Sequence, residues 1–253
     1  MAIDVKLPKF ATWFYLHQFK PERAVTSNLI SPLALLAFRF VCSLYATASI
    51  LENLIANKGQ FFAYFTNLSY CGMTGYFWTM SFHSYKYCKM GKADSIRSQH
   101  WMLTLAIWLL YATFISFHIE ILTMYWSQLY PGSFESAHVA YREISVHGLN
   151  FAMVLTELCL NRMQLHRRLV VAPLFFIALY MVWTWLVDWI FGFWVYEFMR
   201  LAPRVFGLTY FIMYGINMLK ERFFKEEAVS YGSPNEADSN GGPNLPENQS
   251  GDV

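Results

Sequence analysis

The chain has 253 residues, of which 56% are hydrophobic, 19% are aromatic and only 14% are charged, with a mean hydropathy of +0.29. A soluble domain normally carries about 25% charged residues and fewer aromatic side chains, so this composition indicates a membrane protein. The net charge of +2 is too small to suggest a nucleic-acid-binding protein, and we expect no nucleic-acid partner.

Six hydrophobic runs follow one another along the chain, each about as long as the ~20 residues that cross a bilayer as a helix. They are residues 32–51, 61–82, 101–126, 144–161, 169–191 and 203–220. An arm of residues 1–31 precedes them, and residues 221–253 form a polar tail rich in Gly, Pro, Asn and Ser, which is typical of disorder. The sequence therefore predicts an all-α integral membrane bundle of six transmembrane helices with a largely disordered tail.

The Lys and Arg residues beside these runs predict the orientation of the bundle. Most of the 19 lie in the N-terminal arm, in the loops after the second and fourth runs, and just after the sixth run. Cytoplasmic flanks of membrane helices are enriched in Lys and Arg, so both termini are predicted to be cytosolic. In that orientation the second and fourth spans begin at the non-cytosolic face.

The second span contains an unexpectedly polar stretch, "FAYFTNLSYCG", at residues 62–72. At a rise of 1.5 Å per residue, Thr66 lies about 8 Å below the non-cytosolic face, and His147 of the fourth span lies about 5 Å below the same face. The two residues therefore share a leaflet. A structural interpretation of each is a Thr that donates to its own helix and a His at a hydrated helix end.

Charged residues inside the spans predict further contacts. Arg39 in the first span and Glu157 in the fourth both lie about 10 Å from the cytosolic face, where an ionised side chain requires a partner. We predict an ion pair between them with a structural role, and a direct catalytic role is the alternative. Asp188, near the end of the fifth span, is the acid that we expect to orient His147.

No CxxC or Cys/His spacing connects the four cysteines, which are Cys42, Cys71, Cys88 and Cys159. Three of them lie in apolar segments, where a thiol packs as a small hydrophobic group. We expect no metal site, no disulfide framework and no cofactor.

Three motifs stand in order along the chain, "YFTNLSYC" at 64–71, "HGLNFAMVLTELCLNR" at 147–162 and "GFWVYEFMR" at 192–200. Together they resemble the androgen-induced membrane protein family and its relative, the insect rolling stone protein, over about residues 30–220. The resemblance to the family implies a multipass threonine hydrolase that cleaves fatty acid esters of hydroxy fatty acids with a Thr and a His inside the membrane. That Thr falls on Thr66 and that His on His147.

The motifs also differ from those of the hydrolases. Val146 and Asn150 stand where an Asn and a second His are usual, and Glu197 stands where a Pro is usual. The Thr-Asn and His-Gly-Leu-Asn forms resemble rolling stone, whose role is in membrane fusion and which implies no enzymatic chemistry. The alternative function is therefore a non-catalytic membrane protein in adhesion, fusion or lipid handling. A small transporter, the third possibility, requires a polar path across the bilayer beyond Arg39 and Glu157.

For the hydrolase, we expect His147 to remove the proton from Thr66, whose alkoxide attacks the ester carbonyl. Asn67 or Asn150 is the candidate amide donor to the oxyanion that forms. The expected partners are membrane lipid and a lipid ester substrate. The expected location is the endoplasmic reticulum or the plasma membrane.

Overall fold

The computed structural model describes residues 7–193, 195, 212–220 and 222, which contain helices and turns but no β-strand. In chain order the α-helices are α1 (Lys9–Trp13), α2 (Pro21–Val25), α3 (Pro32–Asn57), α4 (Phe65–Met90), α5 (Asp94–Arg97), α6 (Trp101–Met124), α7 (Ala137–Ile144), α8 (Asn150–Leu160) and α9 (Val171–Phe191). The 3₁₀ turns are Leu16–Gln18, Lys58–Ala63 and Arg167–Val170, and the π turns are Tyr125–Leu129 and Ser145–Leu149. Residues 212–220 are also helical.

Among the residues that the structure describes, three helical segments are long and apolar enough to cross a membrane, namely Pro32–Ala63, Trp101–Leu129 and Arg167–Phe191. They cover the first, third and fifth predicted spans. The helices at the second and fourth predicted spans, α4 and the continuous helical stretch of residues 137–160, have sufficient length but carry more polar side chains. The prediction of an all-helical membrane protein is confirmed to this extent: the described residues form helices without strands, and three of the helical segments could cross a membrane.

Some predictions concern residues outside the described ranges. These are the first six residues of the N-terminal arm, residues 203–211 of the sixth predicted span, and the tail beyond 222 together with residue 221. Most of the third motif, including Glu197, also lies outside them.

Local sequence explains where the long helices begin and end. Ser31 precedes α3 and its Oγ accepts a hydrogen bond from the N–H of Ala34 at 3.2 Å, while Pro32 occupies the first helical position. Helix α4 ends at Gly91, whose φ of 69° places it in the left-handed region that glycine tolerates. These signals fix the helix bounds before any tertiary contact forms.

Helices α3 and α4 pack against each other most extensively, and α6 lies against α4, α8 and α9. The core between them is aromatic; its largest fully buried side chains include Tyr76, Phe77, Trp108, Tyr111 and Phe114. Helix α9 shows the opposite pattern on its outer side, where Phe175, Trp185 and Trp189 are exposed. An apolar outer face of this kind suits contact with lipid.

A buried ion pair connects α3 to α8. Arg39 Nη2 lies 2.5 Å from Glu157 Oε1, Arg39 Nε donates to both carboxylate oxygens at 3.1 Å, and both side chains are fully buried. Arg39 Nη1 also donates to the Ala24 carbonyl at 2.9 Å and to Ser84 Oγ at 2.7 Å. On the other side, Tyr76 donates its hydroxyl proton to Glu157 Oε1 at 2.8 Å. The paired charges therefore have hydrogen-bond partners from the segments around them, as buried charges require.

Candidate active site

Thr66 is the second residue of α4, and its position leaves the hydroxyl without a local acceptor. Further along the same helix, Thr74 and Thr79 each donate to the carbonyl four residues earlier, at 2.8 Å. The residue four positions before Thr66 is Phe62, which belongs to a separate 3₁₀ turn and whose carbonyl accepts from Trp183 Nε1 at 2.8 Å. Within the described ranges, the Thr66 hydroxyl has no hydrogen-bond partner although the residue is only 8% exposed. The structural interpretation that Thr66 donates to its own helix does not apply.

His147 lies in the π turn Ser145–Leu149, and its ring is held on two sides. Its Nε2 is 3.3 Å from Glu143 Oε2, one helical turn earlier in the chain. Its face stacks on the ring of Tyr125, with centroids 3.8 Å apart and an interplanar angle of 2°. The other ring nitrogen, Nδ1, is buried and has no partner among the described residues. His147 therefore has one nitrogen engaged with a carboxylate and one buried nitrogen without a hydrogen-bond partner among the described residues.

Glu143 is the carboxylate that contacts His147, and it precedes the predicted fourth span. Burial raises the pKa of Glu143, but its hydrogen bond with His147 and its attraction to His147 and Arg142 lower that pKa by more. The pKa of Glu143 consequently lies below its usual range, and the side chain is ionised at neutral pH. Glu143 accepts a hydrogen bond from an N–H on Nε2, and when Nε2 carries the only ring proton the lone pair lies on Nδ1.

Two π turns meet beside His147. Tyr125 begins the π turn that follows α6, and Trp126 of the same turn donates from Nε1 to the His147 carbonyl at 3.3 Å. A π turn inserts an extra residue into a helix and often occurs at functional sites. Here the paired turns place an aromatic ring flat against the imidazole and fix the backbone that carries it.

Thr66 and His147 line the same cavity, which has a volume of about 260 Å³. The other residues of its wall are Asn53, Asn57, Tyr64, Asn67, Tyr125, Leu129, Glu143 and Val146. They come from α3, the start of α4, both π turns and α7. Residues 53–67 thus meet residues 125–129 and 143–147 at one polar cavity, which contains a hydroxyl, an imidazole and a carboxylate.

The three residues predicted to donate to the oxyanion or to orient His147, namely Asn67, Asn150 and Asp188, lie in different surroundings. Asn67 lines the cavity and donates from Nδ2 to the Phe61 carbonyl at 3.0 Å. Asn150 is fully buried outside the cavity wall, and its amide donates to the Val146 carbonyl one turn earlier. Asn150 is therefore corrected from a possible oxyanion donor to a residue that binds its own helix, since its amide is turned back along the helix axis.

Asp188 also requires correction as the orienting acid. Helix α9, which carries it, contacts the 3₁₀ turn Lys58–Ala63, where Tyr180 and Trp183 donate to the carbonyls of Ala63 and Phe62 at 2.8 Å. Asp188 is absent from the cavity wall, and Glu143 occupies the place beside His147. The i,i+4 spacing of Glu143 and His147 was a sequence signal for this contact.

Comparison of the chain with protein-family models, with curated proteins and with solved structures finds no match. His, Cys, Asp and Glu side chains form no group of three suited to a metal ion within the part of the chain that the structure describes. Function is therefore inferred from the chemistry of the cavity and from the resemblance of the sequence motifs.

Proposed function

We propose that this protein is a multipass membrane hydrolase of lipid esters, such as fatty acid esters of hydroxy fatty acids, with Thr66 as nucleophile and His147 as general base. The observation that carries the proposal is the shared cavity of an unpartnered Thr66 hydroxyl and a His147 ring whose Nε2 is engaged with Glu143. A nucleophile, a base and an acid that orients the base form the arrangement that activates hydroxyl groups in acyl-transfer enzymes.

The reaction begins when His147 Nδ1 takes the proton from Thr66 Oγ1 and the alkoxide attacks the ester carbonyl carbon. The tetrahedral intermediate collapses to an ester on Thr66, and the leaving alcohol receives the proton from His147. His147 then removes a proton from a water molecule, which attacks the acyl-Thr66 ester and releases the fatty acid. Glu143 stabilises the imidazolium form of His147 in both halves of the reaction.

An apolar groove supports a lipid as the substrate. It has a volume of about 250 Å³ and lies between α4, α6 and α9. Its wall includes Phe65, Leu68, Phe117, Leu179 and Trp183. Phe65 precedes Thr66, so an acyl chain in this groove lies next to the segment that carries the nucleophile.

For the membrane arrangement, we propose six spans with both termini in the cytosol. The polar cavity then lies at the non-cytosolic ends of α3, α4, α6 and the helix that contains His147.

Labelling with a membrane-impermeant maleimide in sealed vesicles of known orientation tests this arrangement. A variant with Cys88 as its single cysteine is expected to react from the cytosolic side, because Cys88 is exposed and lies in the last turn of α4, beyond the predicted second span. A cysteine-free variant with Ser133→Cys is expected to react from the opposite side. Labelling of both cysteines from one side contradicts the proposed topology.

The proposed reaction is tested by hydrolysis of a fatty acid ester of a hydroxy fatty acid by the purified protein in nanodiscs. Thr66→Ala and His147→Ala are expected to reduce the rate by at least about 1,000-fold, because the nucleophile or its base is lost. Thr79→Ala is the matched control, since Thr79 is on the same helix and donates to its own backbone. Wild-type protein without hydrolase activity supports the non-catalytic role in adhesion, fusion or lipid handling instead. Activity retained by both variants would show that Thr66 and His147 are not the catalytic residues.

A further inference from the structure

Helix α4 begins without a side-chain cap, at the wall of the cavity. Its N-cap residue is Tyr64, whose side chain accepts no hydrogen bond from the first turn. The first N–H groups of an α-helix have no partner within the helix, and they carry the positive end of the helix dipole. Helix α4 has 26 residues, so its dipole is fully developed, and Tyr64, Thr66 and Asn67 all line the cavity.

The backbone before α4 supplies no substitute for a cap. The carbonyls of Phe61, Phe62 and Ala63 accept hydrogen bonds from the side chains of Asn67, Trp183 and Tyr180 at 3.0, 2.8 and 2.8 Å. Tyr64 is extended, with φ −85° and ψ 129°, and separates that 3₁₀ turn from the helix. Over the residues that the structure describes, no side chain caps the N–H groups of Thr66 and Asn67.

Two buried polar groups in the same cavity indicate that a polar ligand belongs there. Thr66 lines the cavity, is only 8% exposed as a residue, and its hydroxyl has no hydrogen-bond partner within the described ranges. His147 lines the same cavity, and its Nδ1 is buried and unpartnered in the same part of the structure. Buried polar atoms of proteins are nearly always hydrogen-bonded, so donors and acceptors left open around one cavity point to a ligand.

We propose that the N–H groups of Thr66 and Asn67 form an oxyanion site, which holds the carbonyl oxygen of the ester as it becomes negative and the carboxylate of the released fatty acid. The catalytic half rests on the proposed hydrolase function, whereas carboxylate binding does not. Use of the nucleophile's own N–H is a known arrangement for oxyanion holes. It also changes the role of Asn67, whose backbone N–H replaces its side-chain amide as the donor.

The acid in the cavity wall does not prevent anion binding. Glu143 is 3.3 Å from Arg142 Nε and 3.3 Å from His147 Nε2, and it also accepts a hydrogen bond from the Tyr125 hydroxyl, so its charge is directed toward these three partners. The first turn of α4 contains no acidic residue. An anion at the start of α4 therefore meets the N–H groups without an acidic neighbour on the same turn.

Substitution of Tyr64 tests the site directly. Ser at an N-cap position with extended backbone accepts a hydrogen bond from the N–H of the second or third helical residue, which here are Thr66 and Asn67. In Tyr64→Ser, the new hydroxyl is thus expected to accept a hydrogen bond from one of these N–H groups and so block the oxyanion site. Tyr64→Ala is the matched control, because it removes the same ring and adds no acceptor.

Compared with Tyr64→Ala, Tyr64→Ser is expected to raise the melting temperature by about 2–4 °C and to lower the rate of ester hydrolysis by about 10-fold or more. Butyrate binding, followed by ligand-observed NMR, is expected to weaken by a similar factor, with butyramide as the uncharged comparison. Equal hydrolysis and equal butyrate binding in the two variants would overturn the proposal.

Butyrate binding to Thr66→Ala separates this inference from the proposed reaction. The substitution removes the nucleophile but keeps both N–H groups, so butyrate is expected to bind within about 3-fold of wild type. Loss of binding overturns the oxyanion site. Retained binding in a protein that proves to have no hydrolase activity supports the anion site while the hydrolase function fails.

Discussion

The imidazole of His147 lies parallel to the ring of Tyr125, with the two centroids 3.8 Å apart. This stack covers one face of the imidazole and leaves the ring edges for hydrogen bonds. One edge carries Nε2 toward Glu143, and the other carries the buried Nδ1. In the proposed reaction, an imidazole held in this way is already oriented for proton transfer, which is the arrangement that a general base requires.

The stack predicts a graded response at Tyr125. Tyr125→Phe keeps the aromatic face but removes the hydrogen bond of the Tyr125 hydroxyl to Glu143, so hydrolysis is expected to fall by no more than about 2-fold. Tyr125→Leu removes an aromatic contact worth about 0.5–1.5 kcal/mol and is expected to lower kcat by about 3- to 10-fold as the imidazole gains freedom. Steady-state hydrolysis by the two variants measures the difference. Equal losses in both would assign the effect to the phenol hydroxyl instead of the stack.

The contact between Glu143 and His147 predicts a large effect of a nearly isosteric change. Glu143→Gln preserves the side-chain shape but removes the charge that stabilises the imidazolium, and its amide can donate to His147 and so favour the wrong tautomer. We expect kcat to fall by about 100-fold or more, with a smaller change in KM. Asp188→Asn is the matched control and is expected to hydrolyse the ester at the wild-type rate. A larger loss for Asp188→Asn than for Glu143→Gln would restore Asp188 as the orienting acid.

The lowered pKa of Glu143 predicts a pH dependence of stability. The folded protein holds this carboxylate ionised to a lower pH than the unfolded chain does, so Glu143 contributes its full stabilisation above about pH 4.3, the ordinary pKa of Glu. As the pH falls below that value, the contribution is lost. The melting temperature of wild type is expected to exceed that of Glu143→Gln at pH 6. That difference is expected to shrink toward pH 4, and a difference that grows toward low pH would contradict the assignment.

The buried pair of Arg39 and Glu157 predicts strong coupling between its members. Arg39→Met alone leaves the Glu157 charge buried without its partner, and we expect a loss of about 3–5 kcal/mol in the free energy of unfolding. The double variant Arg39→Met with Glu157→Leu is expected to cost less than the sum of the two single changes. Thermal unfolding in detergent measures all three variants. Additive effects of the single changes would show that the pair is not an energetic unit.

Part of this architecture was accessible from local sequence. Hydrophobic runs placed helices near their observed positions, as for the run 101–126 and the helical segment Trp101–Leu129. The rise of an α-helix was sufficient to predict that Thr66 and His147 lie at similar depths. It also predicted that Arg39 and Glu157 share a second depth, nearer the cytosolic face. These inferences required only the period and length of single helices.

The choice of neighbours required the tertiary structure. The depth of a residue along a helix does not show which side of the bundle it faces. Asp188 was predicted to orient His147 from its depth, but it does not line the cavity, and Glu143 contacts His147. A π turn adds a residue without any change in hydrophobic period, so the stacking of Tyr125 on His147 was not predictable.

The sequence by itself determined that this is a helical membrane protein with a hydroxyl, an imidazole and a buried ion pair at defined depths, because those properties follow from composition and helical rise. Only the tertiary structure decided that Glu143 is the acid beside His147, that Asn150 binds its own helix, and that the uncapped start of α4 borders the cavity. These features depend on how separate segments pack, and packing is a property of the whole chain.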